Sequence, residues 1–307
     1  VLAVKVSDGS VLKQFVTGST PYMNYAIPSS VLVVDEDDNG FVDKVYVGDL
    51  GGQMWRIGRI TATDEVTPLD FPNCNEDVTT WKARVFFKTD YYESRKFFYP
   101  PSVTLEKGYD MVFMATGDRE NACCNNTTFL CSAAKDPDII AGVRDTHSIH
   151  TIFGQEGLPG SFYAKDLVDV TDPSATPPNL TDPNGDVDGN FYPDNGWYVR
   201  LVNDNGDAAG EKVLAEGVVF YKTLYITSFT PNEDPCLPGG DAKLYALSHL
   251  TGKPAMDFDD DGNNDRSITI GGGIPSKPVT LITKTGIRLL ISVGSSNPIS
   301  GSASTDA

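Results

Sequence analysis

Basic residues are scarce in this sequence of 307 residues. It has 24 Lys and Arg against 42 Asp and Glu, which gives a formal net charge of −18 and a pI near 4.4. This balance excludes electrostatic binding of nucleic acid as the main function, because the phosphate backbone is itself an anion. With 40% hydrophobic residues, the sequence nevertheless has enough apolar surface to build a large core.

Long apolar runs are also missing. No stretch reaches the roughly 18 uninterrupted apolar residues of a membrane span, so we expect a soluble chain with no membrane span. The first ten residues, VLAVKVSDGS, are typical of a strand and a turn rather than of a signal peptide. We therefore expect a mature chain or a piece of a longer one.

Cysteine is sparse, and its spacing matches no metal motif. None of the five cysteines forms a CxxC, a CxxCH or a zinc pattern, so disulfides in an exported protein explain them best, and the odd count leaves at least one unpaired. The adjacent pair leaves two alternatives open: a strained vicinal disulfide, or separate bonds to more distant cysteines. The candidates for disulfide bonding are Cys74, Cys123, Cys124, Cys131 and Cys236.

Helical periodicity is absent over any stretch of ten residues, whereas strand signals are frequent. The 29 Gly and 20 Pro favour tight turns over long helices. Runs of β-branched and aromatic residues flanked by turn residues predict an all-β chain. These runs are Val31–Val34, Lys44–Gly48, Ala83–Lys88, Met111–Ala115, Val218–Thr227 and Arg288–Val293.

A recurring unit divides the strands into modules. Pro-Ser followed by a strand, a turn and a second strand begins at Pro28, Pro101 and Pro275, and a further copy spans Leu214–Thr227. This alternation is typical of the roughly four-stranded blades of a β-propeller. We predict a propeller domain, or the C-terminal part of one, over residues 1–307, with three whole blades and a partial blade at either end. Residues 143–205, rich in Asp and Pro, are predicted to be an insertion between blades.

The segment DEDDNGFVD has the spacing of a calcium loop. Oxygen ligands stand at positions 1, 3, 5 and 9, glycine at position 6 permits the tight turn, and a backbone carbonyl at position 7 adds a ligand. Position 12 is Tyr46 instead of the Glu of an EF-hand, so the loop should close a hairpin between strands. An acidic solvated turn is the alternative. The predicted ligands are Asp35, Asp37, Asn39, Phe41 and Asp43.

The same spacing recurs further along the chain. A second calcium loop is predicted at DFDDDGNND, with ligands Asp257, Asp259, Asp261, Asn263 and Asp265. A third match keeps the ligands Asp186, Asp188, Asn190 and Asp194 but has Phe191 where glycine is preferred, and an Asp- and Gly-rich surface loop is its alternative. The stretch 203–207 is interpreted as a turn.

No motif in the sequence argues for an enzyme. There is no GxSxG, no HExxH and no phosphate-binding loop. His147 and His150 lie three apart and would face opposite sides of a strand, which favours a surface role over a metal site.

Four segments together resemble a known family. They are Asp35–Arg56 (DEDDNGFVDKVYVGDLGGQMWR), Thr116–Glu120 (TGDRE), Tyr225–Gly252 (YITSFTPNEDPCLPGGDAKLYALSHLTG) and Ile274–Val279 (IPSKPV). Over most of the chain the sequence resembles the C-terminal β-propeller of the PilC/PilY type IV pilus biogenesis and adhesion proteins.

The resemblance implies a non-enzymatic, calcium-dependent function. Asp35, Asp37, Asn39 and Asp43 would bind Ca²⁺ with the Phe41 carbonyl, and calcium would govern whether pili stay extended or retract. The domain would lie outside the cell or at the outer surface, on the fimbrium. Its partners would be minor pilins near the pilus tip, the N-terminal part of the same protein or a separate chain completing the propeller, and a host or abiotic surface.

Two further hypotheses come from other classes. A quinoprotein-like oxidoreductase would use calcium together with the Cys123–Cys124 pair. A filament or matrix subunit would complete its propeller with blades of neighbouring chains.

Overall fold

The described part of the chain is almost entirely β-structure. The computed structural model describes residues 1–36, 38–58, 77–89, 95–107, 109–120, 137–145, 162–180, 194–203, 205–232, 239–284, 286–294 and 299–303. Within these ranges the regular structure is twenty strands and two short 3₁₀ turns, at Val78–Thr80 and Ala164–Asp166. The predicted all-β class is confirmed.

The chain divides into two compact units. Unit 1 comprises residues 1–100, 105–110 and 145–166, and unit 2 comprises residues 101–104, 111–144 and 167–307. Each unit has its own cluster of buried apolar side chains.

Unit 1 is built on a five-stranded sheet in the order β10-β6-β5-β4-β3 and a separate two-stranded sheet, β1-β2. Strands β3 to β6 form an antiparallel meander, and β10 adds to it in parallel. Every residue of β4 and β5 is buried, which places the sheet's centre in the core. The strands are β1 (Leu2–Val4), β2 (Val11–Gln14), β3 (Leu32–Val34), β4 (Lys44–Gly48), β5 (Gln53–Gly58), β6 (Lys82–Lys88) and β10 (Phe162–Tyr163).

A buried aspartate closes the turn between β4 and β5. The Oδ1 atom of Asp49 accepts hydrogen bonds from the amides of Gly51 at 2.8 Å and Gln53 at 3.0 Å, and its Oδ2 atom accepts one from Trp55 Nε1 at 2.8 Å. A Cβ atom on Gly51 would lie 2.2 Å from the ring of Tyr25, so only glycine fits there. The GDLGGQMW segment therefore has a structural explanation.

Unit 2 contains most of a second meander and two further sheets. The second sheet has the order β11-β12-β9-β8-β7, the third β13-β15-β16-β17 with β14 pairing to β15, and the fourth β18-β19-β20. The strands of the second sheet are β7 (Ser102–Glu106), β8 (Tyr109–Ala115), β9 (Ile139–Asp145), β11 (Val168–Asp169) and β12 (Gly196–Arg200). Those of the other two are β13 (Lys212–Val213), β14 (Val218–Phe220), β15 (Thr223–Pro231), β16 (Gly240–Ser248), β17 (Ser267–Gly272), β18 (Val279–Thr283), β19 (Gly286–Ile291) and β20 (Ile299–Ala303).

Trp197 packs the second and third sheets together within unit 2. Its indole is fully buried, and its Nε1 atom donates to the carbonyl of His249 at 3.0 Å. A Cβ atom would come within 2.7 Å of the indole at Gly142 and within 2.6 Å at Gly252, where φ is also +65°. Both positions therefore require glycine.

The predicted strands match the observed ones with one correction. Val218–Thr227 is not a single strand but the hairpin β14–β15, because Tyr221 and Lys222 adopt positive φ values of 48° and 63° and form a tight turn. Two positive φ values in succession match the twist of a hairpin, here without the usual glycine.

The sheets follow the predicted modules, although no ring of sheets is seen to close in the described ranges. Strands β3–β6, β7–β9 with β12, and β13–β17 belong to three sheets whose residues overlap the three predicted modules, and the propeller stays a prediction. Within the predicted insertion, 143–205, the described residues include β12, which pairs antiparallel with β9. No helix in the described part of the chain is long and apolar enough to cross a membrane.

Candidate metal-binding loops

The first predicted loop closes the hairpin between β3 and β4. Both carboxylate oxygens of Asp35 accept backbone amides, from Asn39 at 3.1 Å and Gly40 at 2.7 Å. The Oδ2 atom of Asp43 accepts the amide of Glu36 at 2.7 Å, which closes the loop at its other end. Gly40 has a φ of +89°, a value that favours glycine. The sequence prediction of a hairpin loop with a turn at position 6 is confirmed.

The second loop, between β16 and β17, repeats this geometry. The amide of Gly262 donates to Asp257 Oδ2 at 2.8 Å, and the amide of Phe258 donates to Asp265 Oδ2 at 3.0 Å. The amide of Asn263 donates to the side chain of Asp261 at 2.7 Å, as the amide at the same position of the first loop, Phe41, donates to Asn39 Oδ1 at 2.8 Å. The two segments are thus the same structural unit placed in two sheets.

Three carboxylates converge in the second loop. Asp257, Asp259 and Asp265 each place one oxygen within 4.8 Å of the others. The Oδ1 atom of Asp257 is inaccessible to solvent and has no hydrogen-bond partner. A carboxylate oxygen that is shielded from water and has no hydrogen-bond donor is free to take a hard cation, which prefers oxygen ligands. The three carboxylates are donors of the kind that calcium binds.

The charges of this loop affect one another. Hydrogen bonds from the backbone, first that of Gly262, lower the pKa of the Asp257 carboxyl. At Asp259 the amide of Asp261 acts in the same direction, yet desolvation and the neighbouring carboxylates together raise the pKa of that carboxyl. Repulsion between close carboxylates is relieved when a divalent cation binds.

Most of the other predicted site residues lie outside the described part of the chain. Asp37 of the first loop lies outside the described residues, as do Asp186, Asp188 and Asn190 of the third match, His147, His150 and all five cysteines. Asp194 is described, and its Oδ2 atom accepts the amide of Asn179 at 2.8 Å. Within the stretch 203–207, of which residue 204 lies outside the described residues, Asn203 Oδ1 accepts the amides of Asn205 at 3.0 Å and Asp207 at 2.9 Å.

The TGDRE segment has a structural role at its first two residues. The buried Thr116 donates through Oγ1 to Asp138 Oδ1 at 2.6 Å, and its carbonyl accepts the amide of Val213 at 3.1 Å. A Cβ atom on Gly117 would lie 2.3 Å from the Val213 carbonyl oxygen. These residues join β8 to β13.

Sequence reasoning missed a buried charge network in unit 1. Asp145 is 1% exposed and contacts three groups: Tyr46 Oη at 2.6 Å, Arg56 Nε at 2.7 Å and Arg84 Nη2 at 3.3 Å. Asp110 accepts a second contact from the tyrosine hydroxyl at 3.2 Å. Burial, and then the charge of Asp145, raise the pKa of the Tyr46 hydroxyl well above its ordinary value. This tyrosine therefore stays neutral, and its hydroxyl acts as a hydrogen-bond donor to the carboxylates.

Lys44 connects this charge network to the first predicted loop. Lys44 Nζ lies 2.5 Å from Asp110 Oδ2 and 2.9 Å from Glu36 Oε2, and its side chain is only 2% exposed. Glu36 is position 2 of the loop, so the loop is anchored to the core by an ion pair. The sequence shows an acidic run at 35–38 and a lysine at position 44, which could indicate an ion pair. It does not show that the lysine side chain is buried.

The chain was compared with known proteins. No protein-family model matches it. It is 22% identical over 278 residues to the type IV pilus biogenesis factor PilY1 of Pseudomonas aeruginosa strain PAO1, covering 82% of this chain and 23% of that protein. It is 25% identical over 288 residues to the PilY1 homolog of Xylella fastidiosa strain Temecula1, covering 88% of this chain and 18% of that protein.

A solved structure has the same fold. The crystal structure of the Pseudomonas aeruginosa PilY1 C-terminal domain superposes with a TM-score of 0.64 at 16% identity, covering 98% of this chain and 65% of that chain. The resemblance to a PilY-type C-terminal domain is confirmed. The chain spans about a fifth of the length of the curated relatives that it matches.

Proposed function

We propose that this chain is a calcium-binding, non-enzymatic module of a type IV pilus-associated protein. Its curated relatives are named as type IV pilus biogenesis factors, which supports the association with pili. The observation that carries the calcium part is the convergence of Asp257, Asp259 and Asp265, with the Asp257 Oδ1 atom lacking a donor.

Each loop would hold one ion through oxygen ligands. The first would use Asp35, Asp37, Asn39, Asp43 and the Phe41 carbonyl, and the second Asp257, Asp259, Asp261, Asn263 and Asp265. Bound calcium supplies positive charge that offsets the repulsion among the carboxylates. Because the ion binds the ordered loop better than the loose one, it shifts the loop towards its ordered conformation.

The module would act at the cell surface, on the fimbrium. Its partners would be minor pilins near the tip, the remainder of a longer protein or a separate chain, and the surface to which the pilus attaches. The meandering sheets and the TM-score of 0.64 to the PilY1 C-terminal domain support blades of a propeller that other residues complete. Disulfide bonds among the five cysteines remain a prediction.

The function is tested in the bacterium that encodes this chain. Asp43→Asn and Asp265→Asn keep an oxygen that can accept the loop amide but remove one charge from each site. At equal protein amount we expect fewer displayed pili, or altered retraction, compared with wild type. Asp8→Asn is the matched control, because Asp8 is an exposed turn carboxylate that accepts from Ser10. Pilus display equal to wild type in both loop variants would contradict the proposal.

A further inference from the structure

Arg266 directly follows Asp265, the last predicted ligand of the second loop, and its side chain contacts residues outside that loop. The guanidinium of Arg266 donates through Nη1 to the carbonyl of Thr171 at 2.6 Å and through Nη2 to the carbonyl of Val170 at 2.5 Å. Burial lowers the pKa of Arg266, although the nearby Tyr245 and the carboxylate of Asp169 raise it. A planar guanidinium that donates to two carbonyls at once restrains both the arginine side chain and the backbone that carries the carbonyls.

These carbonyls belong to a short segment at the edge of the second sheet. We call residues 168–175, which are β11 and the turn after it, the tethered segment. The side chain of Lys253 holds the same segment by donating to the carbonyls of Pro173, at 2.6 Å, and Ala175. The connection between β16 and β17 therefore holds this segment with two cations, of which only Arg266 is adjacent in sequence to a predicted metal ligand.

The first loop has a cation at the same position. Lys44 follows Asp43, the last ligand, as Arg266 follows Asp265. Its ammonium group lies between Glu36 of the loop and Asp110 on β8. Each of the two loops is thus followed directly, after its ninth position, by a cation that contacts a residue outside the loop.

We propose that Arg266 is a positioning residue that couples occupancy of the second loop to the order of the tethered segment. The coupling rests on the proposed calcium binding. Asp265 must be held in place to bind an ion. The next residue, Arg266, is held by the hydrogen bonds from its guanidinium to the carbonyls of Val170 and Thr171. Order in the loop and order in the segment therefore support each other, and the effect is reciprocal.

Two substitutions separate anchoring from simple charge. Arg266→Met removes the charge and the tether, whereas Arg266→Lys keeps the charge but cannot hold two carbonyls in the same planar geometry. Anchoring predicts that both variants bind calcium about 10-fold more weakly at the second loop, as outer-shell substitutions do. Repulsion of the ion by the arginine predicts the opposite for Arg266→Met, namely tighter binding, which would overturn the proposal.

The decisive experiment is hydrogen–deuterium exchange of the whole chain with and without calcium. In wild type, calcium should slow exchange in the loop and at the amides of Val170 and Thr171. In both Arg266 variants the slowing should persist in the loop at saturating calcium and be lost in the tethered segment. Lys253→Met is the matched control: it should speed exchange near Ser174 and Ala175 but leave the calcium response of Val170 and Thr171.

The outcomes distinguish this inference from the proposed function. Titration of calcium alone into wild type and Asp257→Asn identifies binding at the second loop. Binding and loop protection in wild type without any response in the tethered segment would overturn the coupling and leave calcium binding intact. An equal response of the segment in wild type and both Arg266 variants would also overturn it. Absence of binding in wild type would refute the proposed function itself.

Discussion

Asn in place of Asp145 should strongly destabilise unit 1. The carboxylate is 1% exposed and lies 2.7 Å from Arg56 Nε, 3.3 Å from Arg84 Nη2 and 2.6 Å from Tyr46 Oη. Removing its charge leaves two guanidinium groups in the interior with one carboxylate fewer. Breaking one side of a buried ion pair costs about 3–5 kcal/mol, a large share of the roughly 5–15 kcal/mol by which a domain is stable.

Urea unfolding followed by tryptophan fluorescence measures this loss, since Trp55 and Trp81 lie in the core of unit 1. Tyr46→Phe is the comparison variant, because it removes one hydroxyl donor and no charge, and should cost about 1–2 kcal/mol. A loss below about 1 kcal/mol for Asp145→Asn would refute the reasoning that the carboxylate neutralises the arginines.

Two further predictions test packing and burial. Gly252→Ala should lower the free energy of unfolding by about 2–4 kcal/mol, because the added Cβ would press on Trp197 at a φ of +65°. Gly206→Ala should lower it by only about 1 kcal/mol, because Gly206 has a φ of +82° but nothing within 4 Å. Equal losses for the two variants in chemical unfolding would contradict the packing argument. Burial raises the pKa of Asp49 from 3.8 even though hydrogen bonds, first that from Trp55, lower it, so the folded state binds the proton more tightly than the unfolded state. The free energy of unfolding of wild type relative to Asp49→Asn should therefore fall as the pH rises from below 3.8 through the folded pKa, and a rise over that range would refute the assignment.

The strands and loops were predictable because their signals are local. Lys44–Gly48 was predicted with the observed bounds, and the ligand spacing of 35–43 and 257–265 gave two loops of the same geometry. The alternating oxygen-bearing side chains and the glycine at position 6 all lie within nine consecutive residues. The sequence alone therefore contains all the information needed to predict such a loop.

The charge network was not predictable because it depends on tertiary structure. Asp110 and Asp145 lie on different strands, and Lys44 stands in a strand buried on both faces, where inward and outward positions do not alternate. A lysine or arginine after an acidic loop is usually solvated. Similarly, β12 pairs with β9 across residues 146–195, and no local pattern indicates which strand it joins.

The central claim, that both loops bind calcium, is tested most directly by calorimetric titration of chelator-treated protein. Wild type should bind two ions per chain at the loops 35–43 and 257–265, and Asp43→Asn and Asp265→Asn should each remove one binding event while keeping the other. Absence of any calcium-dependent heat or binding in the wild-type chain, with the fold intact by circular dichroism, would contradict the account and reduce both loops to acidic turns.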